Sequence, residues 1–255
     1  MIGSYHMEDI ARRAVCASGR RQDVLDTLAD CGFAVLRPGT LDESSFDALM
    51  GGLGEPVPYH FGTKLTLEPH EDSGNVQFTT RAMPLHADAV FNGGPPVTYI
   101  GMRCVTAPAV GGETLVASAA AFFAHAPDDL LDAMSGIVIE YRNRISGYYK
   151  DGPEGGHPRV APLQTDPDTG ERRVVVGLTD PDDPLRTHDA LVVGRTEEES
   201  AELLRRIGAV LHRPSVLYAH AWQAGEVLIL DNRKLVHGRA AFPGQPRRIV
   251  RLSVS

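Results

Sequence analysis

The chain has 255 residues, 42% hydrophobic and 23% charged, which is enough to bury a full core in one large domain. Its formal net charge of −8, with no basic run, gives no attraction to phosphate backbones and argues against a nucleic-acid partner. No apolar stretch approaches the roughly 20 residues that span a bilayer, and the opening MIGSYHMEDIARR lacks a hydrophobic signal core, so no membrane partner and a cytoplasmic location are expected.

Residues 9–30 carry helical periodicity, with Val15, Val24, Leu25 and Leu28 as apolar positions, and the pattern stops at Cys31-Gly32. FAVLRPG then reads as a short buried strand. LDESSFDALMGGLG has acidic and hydroxyl residues early and glycine late, as a second short helix would. From Val97 onward the pattern changes to short β-rich runs punctuated by glycine and proline: VTYIGMRCV, GGETLVAS, GIVIEYR, RRVVVGL, EVLILDN and RIVRLSVS. Such runs predict a sandwich or barrel. Two helices interrupt them, near 119–125 and 196–212, the second opened by Thr-Glu-Glu-Glu. YYKDGPEGGHPRVAP reads as a long loop, the kind that often serves as a lid. Cys16, Cys31 and Cys104 are odd in number and far apart, which suggests neither a disulfide framework nor a zinc ribbon. They read as small buried apolar side chains.

MPLHADAVFNGGPP, beginning at Met83, places a histidine and an aspartate two residues apart where a strand is expected. Residues so spaced share a face, with Cα atoms roughly 7 Å apart, so His86 and Asp88 are able to hold one metal ion. Taken alone His-x-Asp is a weak signal that suits a solvated or hydrogen-bonded pair better than a metal site. A third ligand is available in WQAGEVLILDNRKLVHGRAAF, where His237 follows an apolar strand and an Asp-Asn-Arg turn. Two histidines and one carboxylate leave three adjacent octahedral positions open, the facial triad of non-haem Fe(II) oxygenases. In the C-terminal strand Arg247 and Arg251 have even spacing and share a face, with Arg248 on the other. Arginine forks match carboxylates bidentately.

In chain order, PLHADAVF, VGGETLVAS, HPRVAPLQTDPDTGERRVVV, WQAGEVLILDNRKLVHGRAAF and RRIVRLSV resemble the taurine dioxygenase and clavaminate synthase-like Fe(II)/2-oxoglutarate-dependent oxygenases. GFAVLRPG followed by FDALMGGLGEP is similar to the same family's N-terminal helix-strand-helix, so the resemblance covers nearly the whole chain. It implies a mainly β fold with flanking helices, a double-stranded β-helix (cupin-like jelly roll). The implied layout is a single domain over 1–255, with the helix-strand-helix part at about 1–58, the core at about 76–255 and a lid-like loop at about 141–162. It further implies that His86, Asp88 and His237 hold Fe(II), and that Thr114 and Arg247 take the far carboxylate of 2-oxoglutarate. Arg251 matches a second arginine that faces the near carboxylate or an anionic substrate. Related halogenases replace the carboxylate ligand with a small residue, and the presence of Asp88 argues against halogenation.

The implied reaction consumes 2-oxoglutarate and O₂, releases succinate and CO₂, and oxidises an unactivated C–H bond by hydroxylation, desaturation or ring closure. The expected substrate is small and amino-acid-like or otherwise carboxylate-bearing, with Arg142, Tyr148 and Lys150 as candidate contacts. A zinc hydrolase using the same three ligands, or a catalytically silent metal-binding jelly roll, are the alternatives; Thr114 and Arg247 argue against a hydrolase, which has no need of a dicarboxylate anchor. Of the remaining histidines, His70 and His157 fall in loops able to close over the iron. The Asp231-Asn232-Arg233 turn reads as scaffold that aims His237, and Trp222 as core without a chemical role.

Overall fold

A computed structural model describes residues 7–59, 62–71, 73–91, 93–144 and 157–255. In chain order these form α1 (Met7–Arg13), β1 (Val15–Cys16), α2 (Arg21–Cys31), β2 (Phe33–Leu36), α3 (Glu43–Leu53), β3 (Lys64–Leu67), β4 (Met83–His86), β5 (Tyr99–Thr106) and β6 (Thr114–Ser118). There follow α4 (Ala119–His125), α5 (Asp128–Met134), β7 (Ile139–Asn143), β8 (Arg159–Val160), β9 (Leu163–Thr165), β10 (Arg172–Val174) and β11 (His188–Val192). The last elements are α6 (Glu197–Leu211), β12 (Leu217–His220), β13 (Val227–Asp231), β14 (Leu235–Arg239) and β15 (Arg248–Val254).

The jelly roll is built on a six-stranded sheet, ordered β1-β2-β13-β5-β15-β3, and a four-stranded sheet, ordered β12-β6-β14-β4. Strands β2 and β13 of the larger sheet are covered on both faces, and their sequences show why. In β2 and β13 every residue is buried. Phe33, Val35, Leu228 and Leu230 join the main core, while Ala34, Leu36, Val227 and Ile229 join a second cluster with Val24 and Leu28 of α2 and Phe46, Leu49 and Met50 of α3. A sheet covered on both sides reads as a continuous apolar run rather than an alternation, which is the pattern of FAVL and VLIL. Fully burying one such side chain contributes about 1.5–3 kcal/mol.

Local signals fix the helix ends. Asp42 caps α3 by accepting from the Ser45 N–H. Thr196 and Glu199 form a reciprocal capping box at the start of α6, as the Thr-Glu-Glu-Glu run predicts. The expected helix over 9–30 is instead two helices. Between them Val15–Cys16 pairs in parallel with Val35–Leu36 as an edge strand, and Ser18-Gly19 keeps the chain non-helical. Helix α5, too short for a clear period, was not expected.

The range 141–162, expected as a lid-like loop, includes residues of two strands. Tyr141 and Arg142 lie in β7, which pairs with β11 and β8, and Arg159 and Val160 form β8. The Tyr141 side chain is fully buried and its hydroxyl accepts from the Gly177 N–H at 2.9 Å, so this end is scaffold. Residues 145–156, including Tyr148 and Lys150, lie outside the described residues. No described helix is long and apolar enough to cross a membrane.

Candidate active site

His86 closes β4, and His237 is its partner across the antiparallel β4–β14 ladder. That register brings the two imidazole centroids to 4.5 Å. Asp88 Oδ1 lies 3.7 Å from His86 Nε2 and 3.6 Å from His237 Nε2. One ligand atom from each of the three residues falls within 4.8 Å of the others, and among the described residues this is the one such group. The His86 Nδ1–H donates to the Pro84 carbonyl at 2.9 Å, which fixes the tautomer and leaves the Nε2 lone pair facing the centre. Burial, reinforced by the neighbouring His237, holds the His86 pKa well below its usual range. Burial alone takes His237 to about 4. Two neutral imidazoles and a carboxylate are the donor set a divalent first-row metal takes.

The His-x-Asp pair does not sit wholly on a strand. Strand β4 ends at His86, and Asp88 lies in the turn that follows. Two features hold the carboxylate in place there. The Asp88 N–H donates to Asn232 Oδ1 at 2.8 Å, while Asn232 Nδ2 donates to the Val97 carbonyl at 3.0 Å. Ala89 has φ 65°, the one non-glycine residue in the left-handed region among those described, and it reverses the chain just past the carboxylate. The Asp-Asn-Arg turn therefore aims Asp88 rather than His237, with Asp231 and Arg233 ion-paired beside it at 2.7 Å. Gly238 is required by close approach: a Cβ there would meet the Met83 carbonyl oxygen at 2.6 Å.

His86 and His237 share one cavity with Gln77, Met83, Met102, Thr114, Arg239, Arg247 and Arg251. Arg247, which lies one residue before β15 and not in it, and Arg251 within it are both buried, while Arg248 lies outside beside Glu68. Arg251 Nη2 is ion-paired with Asp88 Oδ2, which leaves Oδ1 turned to the histidines. The Arg247 Nε–H donates to the Gly112 carbonyl at 3.0 Å, and no carboxylate among the described residues pairs with its guanidinium. Burial pushes the Arg247 pKa down to about 10. Thr114 opens β6, and its Oγ1 accepts from the Trp222 indole N–H at 3.1 Å.

Arg239 is a site residue that the sequence reading missed. It is buried, its terminal amines donate to the carbonyls of Val76, Gln77 and Arg81, and its Nε has no partner among the described residues. Burial and the nearby charge of Arg247 lower its pKa to about 9. Its even spacing from His237 was the available signal. Three buried arginines thus line the cavity, and among the described residues the one carboxylate paired with any of them is Asp88, through Arg251. Arg142 is not among its lining residues; that side chain is half exposed, pairs with Glu140 and lines a wider adjoining groove of about 1390 Å³, which shares Met83 and Arg239 with the inner cavity. His70 and His157 are exposed and do not line the cavity.

The family model described as Taurine catabolism dioxygenase TauD, TfdA family matches residues 9–253. The 3-((Z)-2-isocyanoethenyl)-1H-indole synthase of Fischerella ambigua is 28% identical over 199 residues, 76% of this chain and 71% of that protein. Tyrosine isonitrile desaturase of Pseudomonas aeruginosa is 26% identical over 224 residues, 84% of this chain and 73% of that protein. The fold is similar to that of PvcB, described as an Fe, alpha-ketoglutarate dependent oxygenase from an isonitrile synthetic pathway, with a TM-score of 0.70 at 22% identity over 92% of this chain and 80% of that one.

Proposed function

From the premise that the chain belongs to the TauD, TfdA family and is an Fe(II)- and 2-oxoglutarate-dependent dioxygenase, we propose that His86, Asp88 and His237 hold the iron and that the primary substrate is a small, amino-acid-like carboxylate. When bound, iron with 2-oxoglutarate supplies the oxidant, as O₂ is consumed and the keto acid leaves as succinate and CO₂. The protein's own residues bind, orient and exclude water. Arg247 takes the far carboxylate of 2-oxoglutarate through charge-assisted hydrogen bonds, with Thr114 as a neutral donor beside it. Arg251 holds Asp88 Oδ2, so that Oδ1 is presented as a single ligand atom.

The observation that carries the substrate reading is the excess of buried cations. A ferrous ion and a 2-oxoglutarate dianion cancel one another, and Asp88 answers one arginine of the three, Arg239, Arg247 and Arg251. An anionic group on the substrate offsets part of what is left. The name of one curated relative, tyrosine isonitrile desaturase, adds a direction: desaturation of an amino-acid-derived isonitrile is the first outcome to test. The zinc-hydrolase alternative has no use for a buried anchor such as Arg247. The single-domain layout over 1–255 is supported by a core cluster that runs from Met7 in α1 to Ile249 in β15.

The test has two stages. Anaerobic addition of Fe(II) and 2-oxoglutarate should give the weak visible charge-transfer band of the chelate. With O₂ admitted, succinate release is then measured against aromatic amino acids, their isonitrile derivatives and the decarboxylated analogue of each. Coupled turnover confined to carboxylates supports the reading, and equal coupling with decarboxylated analogues refutes it.

A further inference from the structure

We propose that Trp222 is a positioning residue for 2-oxoglutarate, acting through Thr114. The inference rests on the reading of Thr114 and Arg247 as the anchor for the co-substrate's far carboxylate.

Trp222 lies just beyond β12 and is 7% exposed; Thr114, at the start of β6, is 2% exposed. Strands β12 and β6 are neighbours, with His220 opposite Thr114, so the ladder itself delivers the indole to the hydroxyl. The ring is held edge-on against His220, centroids 4.6 Å apart and planes at 85°. His220 in turn faces the fully buried Glu226, whose other oxygen accepts from Arg37 at 2.8 Å. The indole is thus packed into a rigid polar array and not left to rotate.

An indole N–H donates and never accepts, whereas a threonine hydroxyl has one proton and two lone pairs. With Trp222 donating at 3.1 Å, one lone pair of Thr114 Oγ1 is committed and the hydroxyl proton must turn elsewhere. Thr114 lines the cavity it shares with Arg247. A carboxylate is an acceptor only, so a hydroxyl able to choose its orientation would sometimes face the anion with a lone pair. Trp222 removes that choice, and Thr114 becomes a fixed donor. Polarisation along the two bonds strengthens the outer one.

The experiment is an equilibrium titration of the Fe(II) protein, kept anaerobic, with 2-oxoglutarate and with 2-oxovalerate, a keto acid of the same length that lacks the far carboxylate. Trp222→Phe keeps the ring and removes the N–H. It should raise the Kd for 2-oxoglutarate about threefold to tenfold, the range of one neutral hydrogen bond, and leave 2-oxovalerate unchanged. Thr114→Val should weaken 2-oxoglutarate similarly, and adding Trp222→Phe to it should cost nothing more. Equal losses for both keto acids, additive losses in the double variant, or an unaltered Kd in Trp222→Phe would each overturn the proposal. An unaltered Kd in Thr114→Val would instead remove the anchor reading, and the proposal with it. Trp222 is the chain's one tryptophan, so the wild-type protein offers a check that needs no variant. Its single indole N–H resonance should shift on binding 2-oxoglutarate and stay put with 2-oxovalerate, and a resonance indifferent to both ligands counts against the idea.

Discussion

His86 and His237 are direct partners across two antiparallel strands, and their rings stand 4.5 Å apart centroid to centroid although 150 residues of chain separate them. With Asp88 Oδ1 set 3.7 Å and 3.6 Å from their Nε2 atoms, the pair forms one side of a three-donor face. Sheet register sets the two histidines, and the Asn232 contact holds Asp88 in the turn beside them. One residue of slip would turn His237 to the opposite face of its strand.

Asp88→Ala should abolish Fe(II) binding and succinate formation together. It should also destabilise the metal-free protein, because Arg251 is left buried without its counter-ion at a cost of about 3 kcal/mol. Adding Arg251→Met should restore the urea midpoint but not the activity. A single variant as stable as wild type would show that the Asp88–Arg251 pair contributes nothing.

Arg247→Ala should raise the 2-oxoglutarate requirement more than Thr114→Val, since charge-assisted hydrogen bonds are worth about 1.5–3 kcal/mol against about 0.5–1.5 for neutral ones. Arg248→Ala should be mild, because that side chain is half exposed beside Glu68. Titrations of the three variants rank them; a damaging Arg248→Ala with a mild Arg247→Ala would reverse the assignment.

Asn232→Ala removes the acceptor of the Asp88 N–H and the donor to the Val97 carbonyl. The buried Val97 carbonyl then loses its partner, at about 1–3 kcal/mol, and the partly buried Asp88 N–H loses its own at a smaller cost. The expected result is a lower thermal midpoint together with weaker iron binding, measured by metal-competition titration. Unchanged iron affinity would mean that Asp88 is held by other contacts.

Acid should weaken the fold through His188. Its Nε2–H donates to the Gly177 carbonyl at 3.0 Å, its Nδ1 accepts from Thr187, and its ring stacks on Phe91, so it is held neutral. Burial lowers its pKa from 6.5 to about 4. Between those values the unfolded chain binds the proton and the folded chain does not, so this contribution is intact above about pH 6.5, falls as the pH drops, and levels off below about 4. Urea midpoints over that window should decline less steeply in His188→Phe than in wild type. A residual slope is expected from His220, which burial also takes to about 4.

Linear patterns reach a defined depth into this molecule. Period-two spacing was enough to separate Arg251, inside, from Arg248, outside, because a strand's side chains alternate whatever it packs against; Arg247, just before β15, is buried as well. The capping box at Thr196 was legible for the same reason, as its two bonds span only three residues. HADAVF, GGET, LVHGRAAF and RRIVRLSV, taken in order, carried the candidate iron and 2-oxoglutarate residues. The break between α1 and α2 was not legible, since Val15 fits a helical stripe and only pairing with Val35 makes it strand. What Arg239 touches, which carboxylate Arg251 answers, and that Asn232 holds Asp88 were decided by contacts between segments 144 to 163 residues apart. The same holds for Trp222, which by composition is a core side chain and by position is a donor to Thr114. Sequence periodicity states which face of an element a side chain occupies, while the partner it meets there depends on how sheets register and close, and that is settled only when the whole chain has packed.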